Sequence, residues 1–270
     1  MNGNTALAAL RRDFHTSVAA IETYRQCAKK FELHYLRKVP PEHRPVQLAF
    51  GSAVHAGLSI FYESLKNSRL KPSLDELQAG FVESWKDQLD SGQPILMGES
   101  DTPESLERLG LDMIRVFHES APVPYRVLGS EEAFSVELDD VVSGRVFEER
   151  LVGSFDGVAE DEPGNHVVIE IKTASRRWSM QRLQDDLQLS AYSWVAPLVG
   201  LKNVSICLLI LIKSTPPKLE IFHPRRDKKD HQMFLNVAAG VLRGIRAGAF
   251  YQALDWRCKT CPYHQSCRSL

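Results

Sequence analysis

Apolar residues recur at helical spacing in the first part of the chain. Between Ser17 and Arg37 a repeat of three to four positions predicts an opening helix. The residues of its apolar face are Ile21, Tyr24, Ala28, Phe31 and Tyr35. A second helix is predicted from about Gly51 to Leu65, with His55 close to its apolar face.

Two further helix starts are marked by their capping residues. The segment Ser73-Leu-Asp-Glu76 is typical of a capping box, in which the first and last side chains satisfy free backbone N–H groups. Pro103 fits the first turn of another helix, because that position has no N–H group to lose. Residues 56–120 are therefore predicted to form a mainly helical insertion.

The pattern then changes to one typical of β-strands. Short runs rich in β-branched residues predict strands at residues 133–138, 146–152, 153–158, 167–172, 204–212 and 219–222. The turn Asp161-Glu-Pro-Gly-Asn165 predicts a hairpin, and helices are predicted at residues 180–195 and 227–247. This order predicts one domain over residues 1–270, of the α/β (α+β) class, with a central mixed β-sheet flanked by helices.

Composition and charge limit the function classes. The formal net charge is −1, so any DNA-binding surface must be a local basic patch. The first apolar run is short and is followed by Arg11, so it does not fit a signal peptide. No apolar run approaches the roughly 18 residues that a membrane span needs. We therefore expect a cytoplasmic protein without a membrane partner. Five cysteines in such a chain argue against a disulfide framework, and Cys207, in an apolar run, is expected to be buried.

The strongest chemical pattern is an acidic pair with a lysine. Strand alternation turns Glu170 and Lys172 to one face, and Asp156 lies 14 residues before Glu170, a separation that a hairpin closes. Carboxylate oxygens suit Mg²⁺ or Mn²⁺, which activate water for attack on a phosphodiester. Lys172 could orient or deprotonate that water, or stabilise the pentavalent phosphorus. The alternative is an ordinary salt-bridged strand face.

Further motifs, in this order along the chain, resemble one branch of nucleases. His55 ends the segment Gly51-Ser-Ala-Val-His55, and Gln188 and Tyr192 bound the segment Gln188-Leu-Ser-Ala-Tyr192. Together with the acidic pair, its lysine and the terminal cysteines, they are similar to the RecB-like branch of the PD-(D/E)XK nucleases. Phe155 stands where the family name has a proline, as is common in this branch.

The resemblance implies a restriction-endonuclease-like fold and roles for individual residues. The implied ligands of a catalytic Mg²⁺ or Mn²⁺ ion are His55, Asp156, Glu170 and the Ile171 carbonyl. Lys172 is implied as the catalytic lysine, and Gln188 and Tyr192 as residues that support the active site and contact DNA. A structural role for His55, and a packed helix surface for Gln188 and Tyr192, are the alternatives.

A cysteine cluster lies at the C-terminal end. Cys258, Cys261 and Cys267 are one thiolate short of a tetrahedral set, and Cys27 on the opening helix is the candidate fourth ligand. One early and three terminal cysteines resemble the iron–sulfur site of AddB-like and CRISPR-associated nucleases, which implies a [4Fe–4S] cluster. Zn²⁺ in the same site, or His264 as a ligand, are the alternatives. Residues 256–270 would then form a staple closing onto Cys27.

Basic residues follow the proposed site along the chain. We expect Arg176, Arg177 and Arg182 to neutralise phosphates and Trp178 to stack on an unpaired base. The basic run at residues 225–229 fits either a DNA contact or a solvated loop. No segment is typical of a recognition helix, so readout of a specific DNA sequence is not expected.

The leading hypothesis is a metal-dependent DNA exonuclease acting on single strands or ends, in recombination, repair or CRISPR spacer acquisition. No phosphate-binding G-x₄-G-K-[ST] loop occurs in the sequence, so unwinding would need a helicase partner. The alternatives are a non-catalytic DNA-binding scaffold subunit of a helicase or integrase complex, and a redox sensor built on the cysteine cluster.

Overall fold

The computed structural model of the protein describes residues 7, 10, 15–141 and 143–269. The domain predicted over residues 1–270 therefore includes positions outside the described ranges. The α-helices are α1 (Val18–Gln26), α2 (Ala28–Phe31), α3 (Val46–Ser68), α4 (Leu74–Leu89), α5 (Pro103–Ser120), α6 (Met180–Asp185), α7 (Leu187–Leu198), α8 (Lys228–Arg246) and α9 (His264–Arg268). A π-helix spans Glu32–Leu36 and a 3₁₀-helix spans Trp256–Thr260. No helix in the described ranges is long and apolar enough to cross a bilayer.

The strands form one large sheet and two small ones. They are β1 (His15–Thr16), β2 (Arg44–Pro45), β3 (Ile95–Leu96), β4 (Arg126–Val136), β5 (Asp139–Asp140), β6 (Arg145–Val146), β7 (Arg150–Glu160), β8 (His166–Ala174), β9 (Ser205–Ile212) and β10 (Lys218–Phe222). In the large sheet the order is β1-β7-β8-β9-β10, and β4 also pairs with β7. The β7–β8 hairpin is antiparallel and the β8–β9 pair is parallel, so the predicted mixed sheet is confirmed.

Helices cover both faces of the large sheet and build a separate core on each. On one face α3, α4 and α5 pack against Ile169 and Ile171 of β8. On the other face α1, α7 and α8 pack against Phe155 of β7 and Val168 of β8. Along β8, where Val168 faces one core and Ile169 and Ile171 face the other, successive side chains alternate between the two faces.

Two predicted helices are interrupted at polar residues. Cys27 breaks the opening helix with extended backbone angles of φ −163° and ψ 108°, although its N–H still donates to Thr23 O at 2.9 Å. Asp186 breaks the helix predicted at 180–195, because its side chain accepts from Leu189 N at 3.0 Å and caps α7. Cys27, a candidate ligand, and Asp186, a helix cap, therefore lie outside the regular helices next to them.

The helical stretch between residues 46 and 120 follows its sequence signals closely. Ser73 and Glu76 form the predicted capping box, and Pro103 occupies the first turn of α5. α3 begins at Val46, directly after Pro45, and passes through residue 56 without interruption. The helix that carries His55 is therefore part of the main core.

Close packing of α5 on α4 yields a stability prediction. Gly110 of α5 faces the buried ring of Phe81, and a Cβ atom at this glycine would overlap that ring. We expect Gly110→Ala to lower the free energy of unfolding by about 1–3 kcal/mol through overpacking, measured by urea denaturation. The matched control is Gly240→Ala in α8, where an added Cβ has no heavy atom within 4 Å. That substitution should raise stability by up to about 1 kcal/mol, and equal effects at both sites would contradict the packing argument.

Candidate active site

Strands β7 and β8 are paired near their turn and part further along. The last paired residues are Gly157 and Ile169, and Asp156 and Glu170 follow immediately beyond them. Ile171 N donates to Asp156 Oδ2 at 2.7 Å, so a side chain replaces the carbonyl that a continuous ladder would supply. The parting leaves an opening between the strands with a carboxylate on each side.

The opening joins the two faces of the sheet. Phe155 packs on the α7 side, so Asp156 points to the α3 side, where its Oδ1 lies 3.6 Å from His55 Nδ1. Ile169 and Ile171 pack on the α3 side, so Glu170 points towards α7. The two carboxylates therefore reach one site from opposite faces.

Glu170 is a buried carboxylate whose oxygens differ in their contacts. Its residue is 1% exposed, and its Oε1 forms an ion pair with Lys172 Nζ. Its Oε2 has no hydrogen-bond partner among the described residues. Burial first, and then the charge of Asp156, raise the pKa of Glu170 to about 7. A buried oxygen left in this way is costly unless a cation satisfies it.

Lys172 is held by a chain of hydrogen bonds that ends on the backbone. Its Nζ donates to Gln188 Oε1 at 2.6 Å, and Gln188 Nε2 donates to Tyr192 Oη at 2.7 Å. Tyr192 Oη then donates to Ser154 O at 2.6 Å, on the same strand as Asp156. This chain fixes the amide orientation of Gln188 and the position of the ammonium group.

His55 and Lys172 line an open catalytic cleft of about 900 Å³ above the carboxylates. Burial lowers the pKa of His55, but the charge of Asp156 and their contact outweigh it, so the pKa lies above its ordinary value. Further lining residues include Gln47, Glu131, Thr173, Arg182 and Lys213. His55 and Lys172 contact Asp156 and Glu170 and so connect this cleft to the two carboxylates.

A family model of the "PD-(D/E)XK nuclease superfamily" matches residues 15–268. The chain belongs to this superfamily. Membership confirms the family expected from the motifs, supports hydrolysis of nucleic acid, and agrees with the mixed sheet flanked by helices. Members of this superfamily use divalent metals such as Mg²⁺ and take DNA as substrate.

One solved structure supports the same fold. A protein from Eubacterium rectale named "Putative exonuclease" is 11% identical, with a TM-score of 0.56 over 97% of this chain and 90% of that chain. At this identity the likeness shows the fold alone. The structure of SSO0001 is 16% identical, with a TM-score of only 0.37 over 87% of this chain and 91% of that chain. None of the curated proteins compared with the nuclease matches its sequence significantly.

Two residues that line the nuclease's cleft could not be predicted as site residues from the sequence. Glu131 of β4 has a left-handed backbone with φ 49°, a conformation that costs free energy in a non-glycine residue. Burial, followed by the charge of Asp156, raises the pKa of Glu131. Lys213 follows β9 directly, and its Nζ lies 4.5 Å from the ring centroid of Phe50. Neither residue belongs to a sequence motif. Only the fold brings Glu131 and Lys213 to the cleft.

The expected DNA contacts differ in their exposure. Arg176 and Arg177 are exposed, and Arg177 Nε pairs with Glu220 Oε1 at 3.0 Å. Trp178 is only 5% exposed and lies under Arg182, whose guanidinium carbon is 4.0 Å from the ring centroid. Of the four residues, Arg182 alone lines the catalytic cleft. The buried ring of Trp178 is not placed to stack on a base.

The basic run at residues 225–229 is partly structural. Arg226 Nε donates to Ser190 Oγ at 3.1 Å, and its Nη2 donates to Leu183 O. The same guanidinium therefore ties the loop before α8 to α6 and α7. Lys228 and Lys229 form the first turn of α8.

The proposed metal ligands surround the opening without converging on one point. His55, Asp156 and Glu170 are neighbours there, and the Ile171 carbonyl belongs to the residue that donates to Asp156. Within the described ranges, no group of three His, Cys, Asp or Glu residues is arranged closely enough to hold an ion. The unpartnered Glu170 Oε2 and the hard oxygen donors nevertheless fit a divalent cation.

Four of the nuclease's cysteines line one small cavity. Cys27, Cys258, Cys261 and Cys267 surround about 70 Å³, together with Lys30 and His264. Burial raises the pKa of Cys261 and of Cys267, and nearby thiols add to the effect. Nδ1 of His264 lies 2.7 Å from Cys258 O, so this nitrogen already has a partner. Cys207 is buried in β9, as predicted.

The buried charge of Glu170 yields a second stability prediction. Its folded pKa of about 7 exceeds the ordinary 4.5, so stability falls as pH rises through this window, and the full loss is present at pH 8. Without divalent metal, Glu170→Gln should therefore raise the free energy of unfolding at about pH 8 by about 3 kcal/mol, and by much less at about pH 5.

Urea unfolding in EDTA at the two pH values measures this difference. Glu137→Gln is the control, because Glu137 is an exposed glutamate and should change stability by under about 0.5 kcal/mol. Added Mn²⁺ should stabilise the unsubstituted protein and not Glu170→Gln. A Glu170→Gln variant that is less stable at about pH 8 would contradict the argument.

Proposed function

We propose that this nuclease is a metal-dependent DNA exonuclease that acts on single-stranded DNA or DNA ends. The observation that carries the proposal is the unpartnered, buried Glu170 Oε2 beside Asp156, below an open cleft. The ion pair with Lys172 accounts for Glu170 Oε1 alone, so Oε2 stays available to a cation. The resemblance of the motifs to the RecB-like branch supports the preference for ends, and the fold neighbour bears the name of an exonuclease.

His55, Asp156, Glu170 and the Ile171 carbonyl would hold Mg²⁺ or Mn²⁺ at the opening. When bound, the cation supplies water activation and neutralises charge that grows on the phosphate. The residues approach from α3, β7 and β8, so packing of the two cores sets their spacing. The oxygen-rich set favours hard divalent cations over softer ones.

Lys172 would donate a hydrogen bond to the reacting phosphate or to the attacking water. An ammonium group has three N–H donors. One is engaged by Glu170 and one by Gln188, which leaves one for the catalytic cleft. Gln188 and Tyr192 would act as positioning residues, because their hydrogen bonds orient the ammonium from behind.

The role of Lys172 can be tested on DNA with and without ends. In Lys172→Ala we expect cleavage of linear single-stranded DNA in Mn²⁺ to fall about 10²–10⁴-fold, because the donor to the phosphate is lost. The control is Lys218→Ala, an exposed lysine of β10. Circular single-stranded DNA should resist the unsubstituted protein.

Other outcomes separate the parts of this proposal. Cleavage by Lys172→Ala at the normal rate would refute the assigned role. Rapid cutting of circles would refute the exonuclease activity. Tight DNA binding without cleavage in any metal would favour the scaffold subunit of a helicase or integrase complex. Recombination, repair and CRISPR spacer acquisition are the proposed settings, since each processes DNA ends.

We further infer that Cys27, Cys258, Cys261 and Cys267 bind a [4Fe–4S] cluster, with Zn²⁺ as the alternative. Support comes from the four thiols around one cavity of about 70 Å³, which exceeds the roughly 10–15 Å³ needed for one water molecule. Lys30 lines the same cavity and would offset thiolate charge. The bound group would staple residues 256–270 onto Cys27.

Loss of one cysteine tests the staple. Because it closes a loop of about 230 residues, Cys261→Ala should lose the bound iron and sulfide and up to about 5 kcal/mol of stability. Cys207→Ala is the control, because this buried cysteine lies in β9 and should keep the metal. Full stability with unchanged metal content in Cys261→Ala would rule the staple out, and bound zinc without sulfide would select the alternative.

A further inference from the structure

The four tryptophans of the chain differ sharply in exposure. Trp85 and Trp178 are buried, and Trp194 packs against Phe234 with ring centroids 5.7 Å apart. Trp256 is 79% exposed. An exposed indole offers a large flat apolar surface, which is unfavourable in water unless something covers it.

Trp256 lines a groove next to the catalytic cleft. This tail groove, of about 560 Å³, lies between the C-terminal tail and the start of α3. Its lining includes Lys30, Gln47, Leu96, Met97, Trp256 and Arg257. Gln47, in the first turn of α3, also lines the catalytic cleft, so the two concave surfaces adjoin at this residue.

The charges along this path suit a polyanion. The tail groove and the catalytic cleft are lined by five lysine and arginine side chains and by two carboxylates. One of those carboxylates, Asp255, is paired with Arg257 Nε at 2.7 Å. Lys172 and Arg257 are each ion-paired, so Lys30, Arg182 and Lys213 are the basic groups that would attract a strand with one phosphate per nucleotide.

Local hydrogen bonds hold Trp256 in place. Asp255 caps the 3₁₀-helix by accepting from Arg257 N at 2.8 Å, and Cys258 N donates to Asp255 O at 3.1 Å. The indole therefore projects from a short structured turn, so little backbone freedom is lost on binding.

We propose that Trp256 is a stacking platform for an unpaired base of single-stranded DNA whose scissile phosphate lies in the catalytic cleft. Stacking needs a base whose face is free, which a duplex does not offer, and it is tolerant of base identity. The platform would hold the strand at a distance from the reacting bond and leave the chemistry to Lys172 and the carboxylates. This inference rests on the proposed function and specifies its substrate as single-stranded DNA.

Kinetics and fluorescence test the platform separately. In Trp256→Ala we expect KM for single-stranded DNA of about 20 nucleotides to rise about ten-fold with kcat unchanged, while Trp256→Phe stays near normal. Bis(p-nitrophenyl) phosphate is too small to extend from the catalytic cleft to Trp256, so its rate of hydrolysis should be equal in all variants. Tyr251→Ala is the matched control, because Tyr251 is a 59% exposed aromatic of the same tail outside the tail groove.

Fluorescence in EDTA reports binding without any cleavage. Oligothymidylate should quench tryptophan emission of the unsubstituted protein, and most of that quenching should vanish in Trp256→Phe. Unchanged quenching in Trp256→Phe, or an unchanged KM in Trp256→Ala, would overturn the platform. Quenching through Trp256 in a protein that cleaves no DNA would keep the platform and reject the proposed exonuclease.

Discussion

The hydrogen bond from Ile171 N to Asp156 Oδ2 is the contact on which the site depends. A continuous β7–β8 ladder would pair Asp156 directly with Glu170 and turn both carboxylates to the same face of a closed sheet. Because the strands part after Gly157 and Ile169, the space between them connects both faces. The same bond satisfies an N–H group that the parting would otherwise leave without a partner.

The rest of the fold offsets the free energy that this opening costs. A buried carboxylate with a raised pKa and a left-handed Glu131 are both unfavourable in isolation. Two apolar cores flank the opening, and each contains long buried stretches of β-sheet and helix. The chain from Lys172 through Gln188 and Tyr192 adds a polar anchor to the α7 side. The geometry of the opening is thus maintained by packing on both sides.

Features fixed by local pattern could be predicted from the sequence, and features fixed by tertiary contacts could not. Strand alternation placed Glu170 and Lys172 together, and the capping box at Ser73 marked the start of α4. No periodicity signals that Trp178 is covered by its own neighbours, or that Glu131 turns into the cleft. The break at Cys27 was hidden because apolar spacing continues across it.

The C-terminal tail is hydrogen-bonded to the segment that leads into α3. Glu42 N donates to Pro262 O at 2.8 Å, and Gln265 N donates to Glu42 Oε1 at 2.8 Å. These contacts lie a few residues before Val46, where α3 begins, and α3 carries His55 to Asp156. The tail and His55 are therefore linked through the same helix. A group bound by the cysteines would act on hydrolysis through the position of α3, and its own chemistry need not enter the reaction.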